Sequence, residues 1–522
     1  MNKAYTTDYI KRDFGEPRNK KINFKYARQY FDLLEEDEYT IDDQTWSDLN
    51  MDQAFVKLDH TYSSPGQSKL YAMLRNPLFS QQKLDERSSM IDFLTRSADT
   101  RSKMQYIFYT LGLNRKNTFL DMVTGDINKN KAKYWIYTIL GKIVPLIIII
   151  LAFIQKKPEY MLVLMASIYI NIFINTREKK NIKSNGMIYL RKLLTAGKKL
   201  SSFKNEELKG YTTRIKELNS SLRAMDISTK AMTLSTMAAG LFEIFSLVFL
   251  IDEAAYYKVG EELDKKFDDI MELYALIGEL DALAGMASYK KHVETLCSKP
   301  TFTDKICFNI EEGVQPLLPN GVPNSIHMKK RGIVLTGTNM SGKSTFLRML
   351  GSNILLAQTF NFVLAKKYEA CFFNLVSSIS PDDNLSTGKS YYMAEAEGIL
   401  RIIKALDKEV PVFCAIDEIF RGTNPIERIS ASAEILSYIN KKKCISIVAT
   451  HDRELTEILK ENYEFHYFSE TVSSKKGLNF DYKLKDGISS TKNAIKLLDY
   501  IGYPKEITEK AYERADKIEG FI

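Results

Sequence analysis

The sequence predicts two joined parts: an all-α core interrupted by a hydrophobic helical hairpin, then an α/β unit built on a parallel sheet. Three observations predict this. Residues 42–124 carry apolar side chains at three- and four-residue spacing, as in Leu70, Met73 and Leu74 and again in Met90, Ile91 and Leu94. Two dense apolar runs, 134–154 and 160–174, are separated only by a charged turn. After Thr301, short apolar strands alternate with helical stretches, the mark of βαβ units.

Composition narrows the class. Of 522 residues, 45% are hydrophobic and 26% charged, which excludes a disordered chain or a small disulfide scaffold. Gly and Pro total only 38, which excludes a collagen-like or low-complexity chain. Five scattered cysteines form no Cys-x-x-Cys pair, so reduced thiols and no zinc site are expected. The first residues lack an apolar core segment, so a cleaved signal peptide is not expected. The net charge of +8 is concentrated: residues 177–230 hold 14 Lys or Arg against 5 Asp or Glu. That basic stretch suits phosphate, on nucleic acid or on lipid head groups.

In chain order, residues 1–44 read as a polar extension with one or two short helices, and 45–133 as the first part of the helical core. Ser63-Ser64-Pro65-Gly66 and Asn76-Pro77 punctuate it as turns. Residues 134–176 form the hairpin. The first run approaches the roughly 20 residues that span a bilayer, with Lys142 near an end; the second is shorter and carries Asn171. Lysines 129, 131 and 133 precede the hairpin and Arg177, Lys179, Lys180 and Lys183 follow it, which places both outer ends in the cytoplasm. A buried core hairpin is the alternative. Residues 177–300 complete the core, and the apolar run 231–251, which contains Glu243, is read as a buried core helix. Residues 301–486 are the α/β unit, and 487–522 a C-terminal helical region.

Within the α/β unit, Gly337-Thr338-Asn339-Met340-Ser341-Gly342-Lys343-Ser344 fits the phosphate-binding pattern G-x-x-x-x-G-K-[ST] in full. It follows the apolar strand Gly332–Thr336 and opens a helix predicted over 345–358. Backbone N–H groups of such a loop curl around a β-phosphate, and the helix N-terminus adds partial positive charge. Lys343 is expected on the β- and γ-phosphates and Ser344 on Mg²⁺. The strand 412–416 runs into Asp417 and Glu418, expected to hold the metal through water and to orient the attacking water. Strand Cys444–Ala449 runs into Thr450 and His451, which places that histidine where a γ-phosphate would lie. The other four histidines lack such a context.

These residues resemble the MutS family of mismatch-repair ATPases, whose catalytic domain is an ABC-like P-loop NTPase. Thr336 through Thr345 looks like its TGPNMGGKST loop, with Thr338 where proline is usual. Asp417 through Thr423 resembles its DE-x-x-RGT segment, residues 383–395 its DDLASGRSTFMVE segment, and Ala449-Thr450-His451 its ATH. The likeness extends faintly to 58–94 and 278–284. It implies binding of ATP and Mg²⁺ by Gly337, Asn339, Met340, Ser341, Gly342, Lys343, Ser344 and Thr345. Ser344 and Asp417 would be the metal ligands. Glu418, Lys343 and His451 would act in hydrolysis, with Gly388 and Ser390 reaching the partner's nucleotide in trans. A homodimer with two composite sites and a dimerising C-terminus follow. Two Phe-x-Glu triplets, at 14–16 and 468–470, match the family's mismatch wedge in letters and are read as chance. The apolar hairpin falls where the family's DNA clamp would lie.

Two functions stay open. One is a mismatch-repair ATPase binding double-stranded or branched DNA, tethered to the inner (plasma) membrane with its ATPase domain in the cytoplasm. The other is a membrane-embedded mechanochemical ATPase acting on lipid or a membrane protein.

Overall fold

The structure, a computed structural model, describes residues 3–519 except 36, 115, 117, 126–129, 179–183, 238–240, 319, 339–340, 381–390, 421–422, 474–476 and 489–493. In the helical core, α1 (Ser64–Arg75) begins where the Ser63 hydroxyl accepts from the Gly66 N–H, with proline in its first turn, and it ends just before Pro77. Residues 131–155 form one apolar helix, α2 (Lys131–Gln155), and α3 (Glu159–Glu178) returns beside it. After two further helices, Ser184–Leu200 and Lys209–Ser221, come α4 (Arg223–Met237), α5 (Leu241–Phe249), α6 (Ile251–Leu263) and the long α7 (Phe267–His292).

Helices α1 and α7 pack tightly because glycines meet at their crossing. A Cβ on Gly278 would overlap the Pro65 carbonyl, and one on Gly66 would overlap the Asp281 carboxylate. Asp281 is fully buried and accepts from the N–H groups of Tyr62 and Ser63 and from the Ser63 hydroxyl. Burial raises its pKa to about 6 despite these bonds. The N-terminal residues fold onto this core. Ile10 is buried, the Arg18 guanidinium lies 4.4 Å from the Tyr62 ring centre, and the Gly15 N–H donates to Ser288 Oγ at 3.0 Å.

The α/β unit holds a six-stranded sheet: β1 (Gly332–Thr336), β2 (Asn374–Ser378), β3 (Val412–Asp417), β4 (Cys444–Ala449), β5 (Tyr463–Tyr467) and β6 (Lys485–Asp486). Its spatial order is β6-β5-β1-β4-β3-β2, parallel throughout except for β6. Strands β1, β3 and β4 are buried along their whole length, which is why they read as unbroken apolar runs. A second sheet of four strands lies beside it, and strand pairing starts at Cys297, just ahead of the expected boundary at 301. Helix α8 (Lys343–Phe360) follows β1 and α9 (Pro425–Asn440) follows β3.

The core and the α/β unit are joined by polar contacts as well as apolar packing. Asp48 is fully buried and accepts from the Ser377 hydroxyl and from the N–H groups of Ile379 and Ser380 at the end of β2. Arg348 of α8 donates to the Asp48 carbonyl, and Arg87 of the core donates to the Thr359 carbonyl at the other end of α8. Both ends of α8 are therefore tied to the core by hydrogen bonds.

The hairpin behaves differently from the rest. Phe153 is 84% exposed, Leu162 69% and Tyr169 72%, so its outer faces are apolar and uncovered. Pro145 would break an ordinary α-helix; here a π-turn over Ile139–Ile143 precedes it and the helix continues. The expectation of one buried helix over 231–251 is corrected. Leu250 takes a left-handed φ of 49° before α6, and Ile244 and Phe245 of α5 are 60% and 53% exposed. Periodicity reports an apolar face but not what covers it.

Candidate active site

The C-terminal ends of β1, β4 and β3 are neighbours in the sheet, with Ala449 in register with both Leu335 and Asp417. Each strand delivers one part of the site. Beyond β1 the loop turns through Gly337 (φ 135°) and Gly342 (φ 113°), values that side chains rarely tolerate. A Cβ on Gly337 would also stand 2.5 Å from the Phe468 carbonyl oxygen. The loop ends at the N-terminus of the 18-residue α8, where unpaired N–H groups attract an anion.

Lys343 is buried, and its ammonium donates to the carbonyls of Gly337 (2.6 Å) and Thr338 (2.9 Å), 3.5 Å from His451 Nε2. The Ser344 hydroxyl donates to Asp417 Oδ2, joining the ends of the loop and of β3. Glu418 has a left-handed φ of 63°; its N–H donates to the Ala449 carbonyl at 2.8 Å. Its Oε1 lies 3.2 Å from His451 Nε2. Ser341 is buried with its hydroxyl unpartnered among the described residues, and Thr345 sits in the first turn of α8. Arg428 of α9 pairs with Asp452 through two nitrogens, bracing the turn after His451. Of the expected residues, Asn339, Met340, Gly388 and Ser390 lie outside the described residues.

The donors present fit a magnesium nucleotide. A serine hydroxyl and a carboxylate meet at one point, a lysine sits beside backbone carbonyls, and a hydroxyl unpartnered among the described residues lines the loop. The structure adds residues that spacing did not reveal. A cavity of about 600 Å³ opens beside Gly342 and Thr345, with Leu318, Val322, Phe468 and Tyr482 among its walls. Its size and aromatic lining suit a nucleobase. Tyr482 has a left-handed φ of 53° and its ring stacks 5.6 Å from Phe480. Thr338, in the usual proline position, donates its hydroxyl to the buried Glu470 at 2.6 Å. The two Phe-x-Glu triplets have other occupations: Phe468 packs on Phe346, and Phe14 lies under the Arg101 guanidinium.

Residues 333–519 match the family model of MutS domain V. That segment contains the whole constellation from β1 to β6. The chain is also 28% identical over 277 residues to the DNA mismatch repair protein MutS of Thermus thermophilus, covering 52% of this chain and 33% of that protein. The MutS of Petrotoga mobilis is 31% identical over 281 residues, 51% of this chain and 33% of its own length. The MutS of Thermotoga maritima is 30% identical over 272 residues, 50% and 34%. The chain thus spans about a third of the length of the curated relatives it matches.

Proposed function

We propose that this chain is a MutS-type, Mg²⁺-dependent ATPase that works as a dimeric switch anchored in a membrane. The observation that carries the reading is the convergence of Lys343, the Ser344–Asp417 pair and the Glu418–His451 pair at the ends of three adjacent parallel strands within the matched segment. Bound Mg²⁺ would polarise the γ-phosphoryl group and offset its charge. Lys343 would leave the Gly337 and Thr338 carbonyls for phosphate oxygens. Ser344 and Asp417 would hold the metal. Glu418 would accept a proton from, or orient, the attacking water, with His451 fixing the carboxylate and sensing the γ-phosphate. Positioning and electrostatics would supply most of the rate.

Gly388 and Ser390 are assigned, on the MutS likeness, to the partner's nucleotide. The exposed Tyr500, Ile501, Tyr503 and Ile507 beside the C-terminal helix Lys505–Glu519 support a dimerising surface there. ATP binding would then draw two copies together and, through α8 and Asp48, move the helical core.

Anchoring is supported by the hairpin. Its two helices are long and apolar enough to cross a bilayer, and their apolar surface is largely uncovered. The α/β unit would then lie in the cytoplasm. DNA is the partner favoured by the mismatch-repair relatives and by the exposed Lys192, Lys199, Lys204, Lys216, Arg223 and Lys230 of the basic stretch. Other cations there are already paired: Arg191 and Lys198 with Asp226, and Arg214 with Glu272.

The deciding experiment measures ATP turnover by the full chain in detergent with homoduplex, mismatched and four-way-junction DNA, and after reconstitution into anionic vesicles. Stimulation by one DNA structure supports a tethered nucleic-acid switch. Stimulation only by the vesicles makes lipid or a membrane protein the target. Absence of Mg²⁺-dependent turnover in every condition refutes the ATPase reading.

A further inference from the structure

The hairpin is not the only apolar element at its depth. Contacts along α6 set a register against it. Glu261 pairs with Lys131. Tyr257 stands at Lys133, at Tyr137 and at Glu178, whose carboxylate accepts from Tyr257, Tyr137 and Lys133. Glu253 accepts from Asn175 at 2.6 Å. Phe249 and Leu250 reach Gly141, where a Cβ would overlap the Phe249 carbonyl. Followed backwards, the chain therefore descends from the charged mouth of the hairpin to the π-turn, and α5 packs there against α3 and the π-turn.

Asn171 explains why α5 stays. In the π-turn the Val144 N–H donates to Ile139, and residue 145 is proline, so the Leu140 carbonyl has neither of its helical donors. Val248 lies in the last turn of α5, where carbonyls also lack helical donors. The buried Asn171 amide donates to both, at 3.0 Å and 2.8 Å. An amide that bridges two orphaned carbonyls at a close glycine contact is how helices bind one another where no water is present. Asn171 lies about 10 Å along α3 from Glu178, at 1.5 Å per residue. If the Lys133–Glu178 pair marks the head-group level, the joint lies within the acyl region. Ile244 and Phe245 of α5 remain exposed, as do the apolar residues of the hairpin it packs on.

We infer that α5 is a third membrane-inserted element, whose Ile244 and Phe245 contact lipid acyl chains and whose seat on the hairpin is the Asn171 bridge. This rests on the membrane reading above. The inserted unit would comprise both ends of the hairpin and the start of α6, which leads directly into α7 and the ATPase side of the core.

The test places photoreactive p-benzoylphenylalanine singly at Phe245, at Phe153 of the hairpin and at Ile426 of α9. The full chain is reconstituted in vesicles containing radiolabelled phosphatidylglycerol, irradiated, and its covalent lipid counted. Positions 245 and 153 should label and 426 should not. With Asn171→Leu, labelling at 245 should change at least several-fold while labelling at 153 persists. Lipid at 153 without lipid at 245, or attachment of 245 to a second polypeptide, overturns the third element and leaves the hairpin reading standing. Lipid at neither position overturns both.

Discussion

Replacing Glu418 separates chemistry from architecture. The residue is held by its backbone: its N–H bonds to the Ala449 carbonyl at 2.8 Å, and its φ is 63°. A non-glycine residue in that region costs about 1 kcal/mol, strain that tends to gather at functional sites. Glu418→Gln keeps shape and backbone and removes only the carboxylate facing His451 at 3.2 Å. Lys343, Ser344 and Asp417 are untouched, so nucleotide affinity should change less than about threefold, under 1 kcal/mol. Loss of a general base lowers turnover by about 10²–10⁴, or roughly 3–5 kcal/mol of barrier. Glu418→Gly should lose turnover similarly but relieve the backbone, raising stability by up to about 1 kcal/mol. Single-turnover hydrolysis, fluorescent-nucleotide binding and denaturant melts read the three quantities. Turnover within about threefold of the parent in Glu418→Gln would refute the assignment of Glu418 as the water-orienting base.

Further substitutions test the surrounding structure. Lys343→Ala should abolish measurable nucleotide binding, checked by equilibrium dialysis with Mg-ATP. Tyr482→Ala should weaken ATP by about 1–2 kcal/mol but leave binding of inorganic triphosphate unchanged, because it removes one wall of the cavity beside Gly342. Thr338→Val removes the hydroxyl that Glu470 accepts, and Thr338→Ser retains it; nucleotide affinity measured by titration should shift about tenfold in the first and recover in the second. Gly278→Ala should destabilise the core by about 1–3 kcal/mol or more in urea, since α1 and α7 must part to admit the methyl group.

The site's individual pieces were legible because they follow short-range rules. A strand buried on both faces must be apolar throughout, as Gly332–Thr336 and Cys444–Ala449 are. A loop that wraps a phosphate needs glycine where φ is positive, and Gly337 and Gly342 take such values. The helix after the loop was expected over 345–358 and spans Lys343–Phe360. The hairpin helices likewise fall on the two apolar runs. Beyond this range the sequence was silent or misleading. Asp48 and β2 are more than 300 residues apart, and nothing local couples them. Tyr482 was an ordinary tyrosine until the strand order brought it beside Gly342.

By itself the sequence determined which segments are apolar, where strands and helices fall, and which loop can close on a phosphate, since each depends on neighbours within a few residues. Only the tertiary structure decided what those segments meet. It set three strand ends side by side, so that Ser344 reaches Asp417 and His451 reaches Glu418. It also left Ile244 and Phe245, within the apolar run 231–251, uncovered. The physical reason is that an apolar face records the need for cover, whereas the identity of the cover depends on how distant parts of the chain pack.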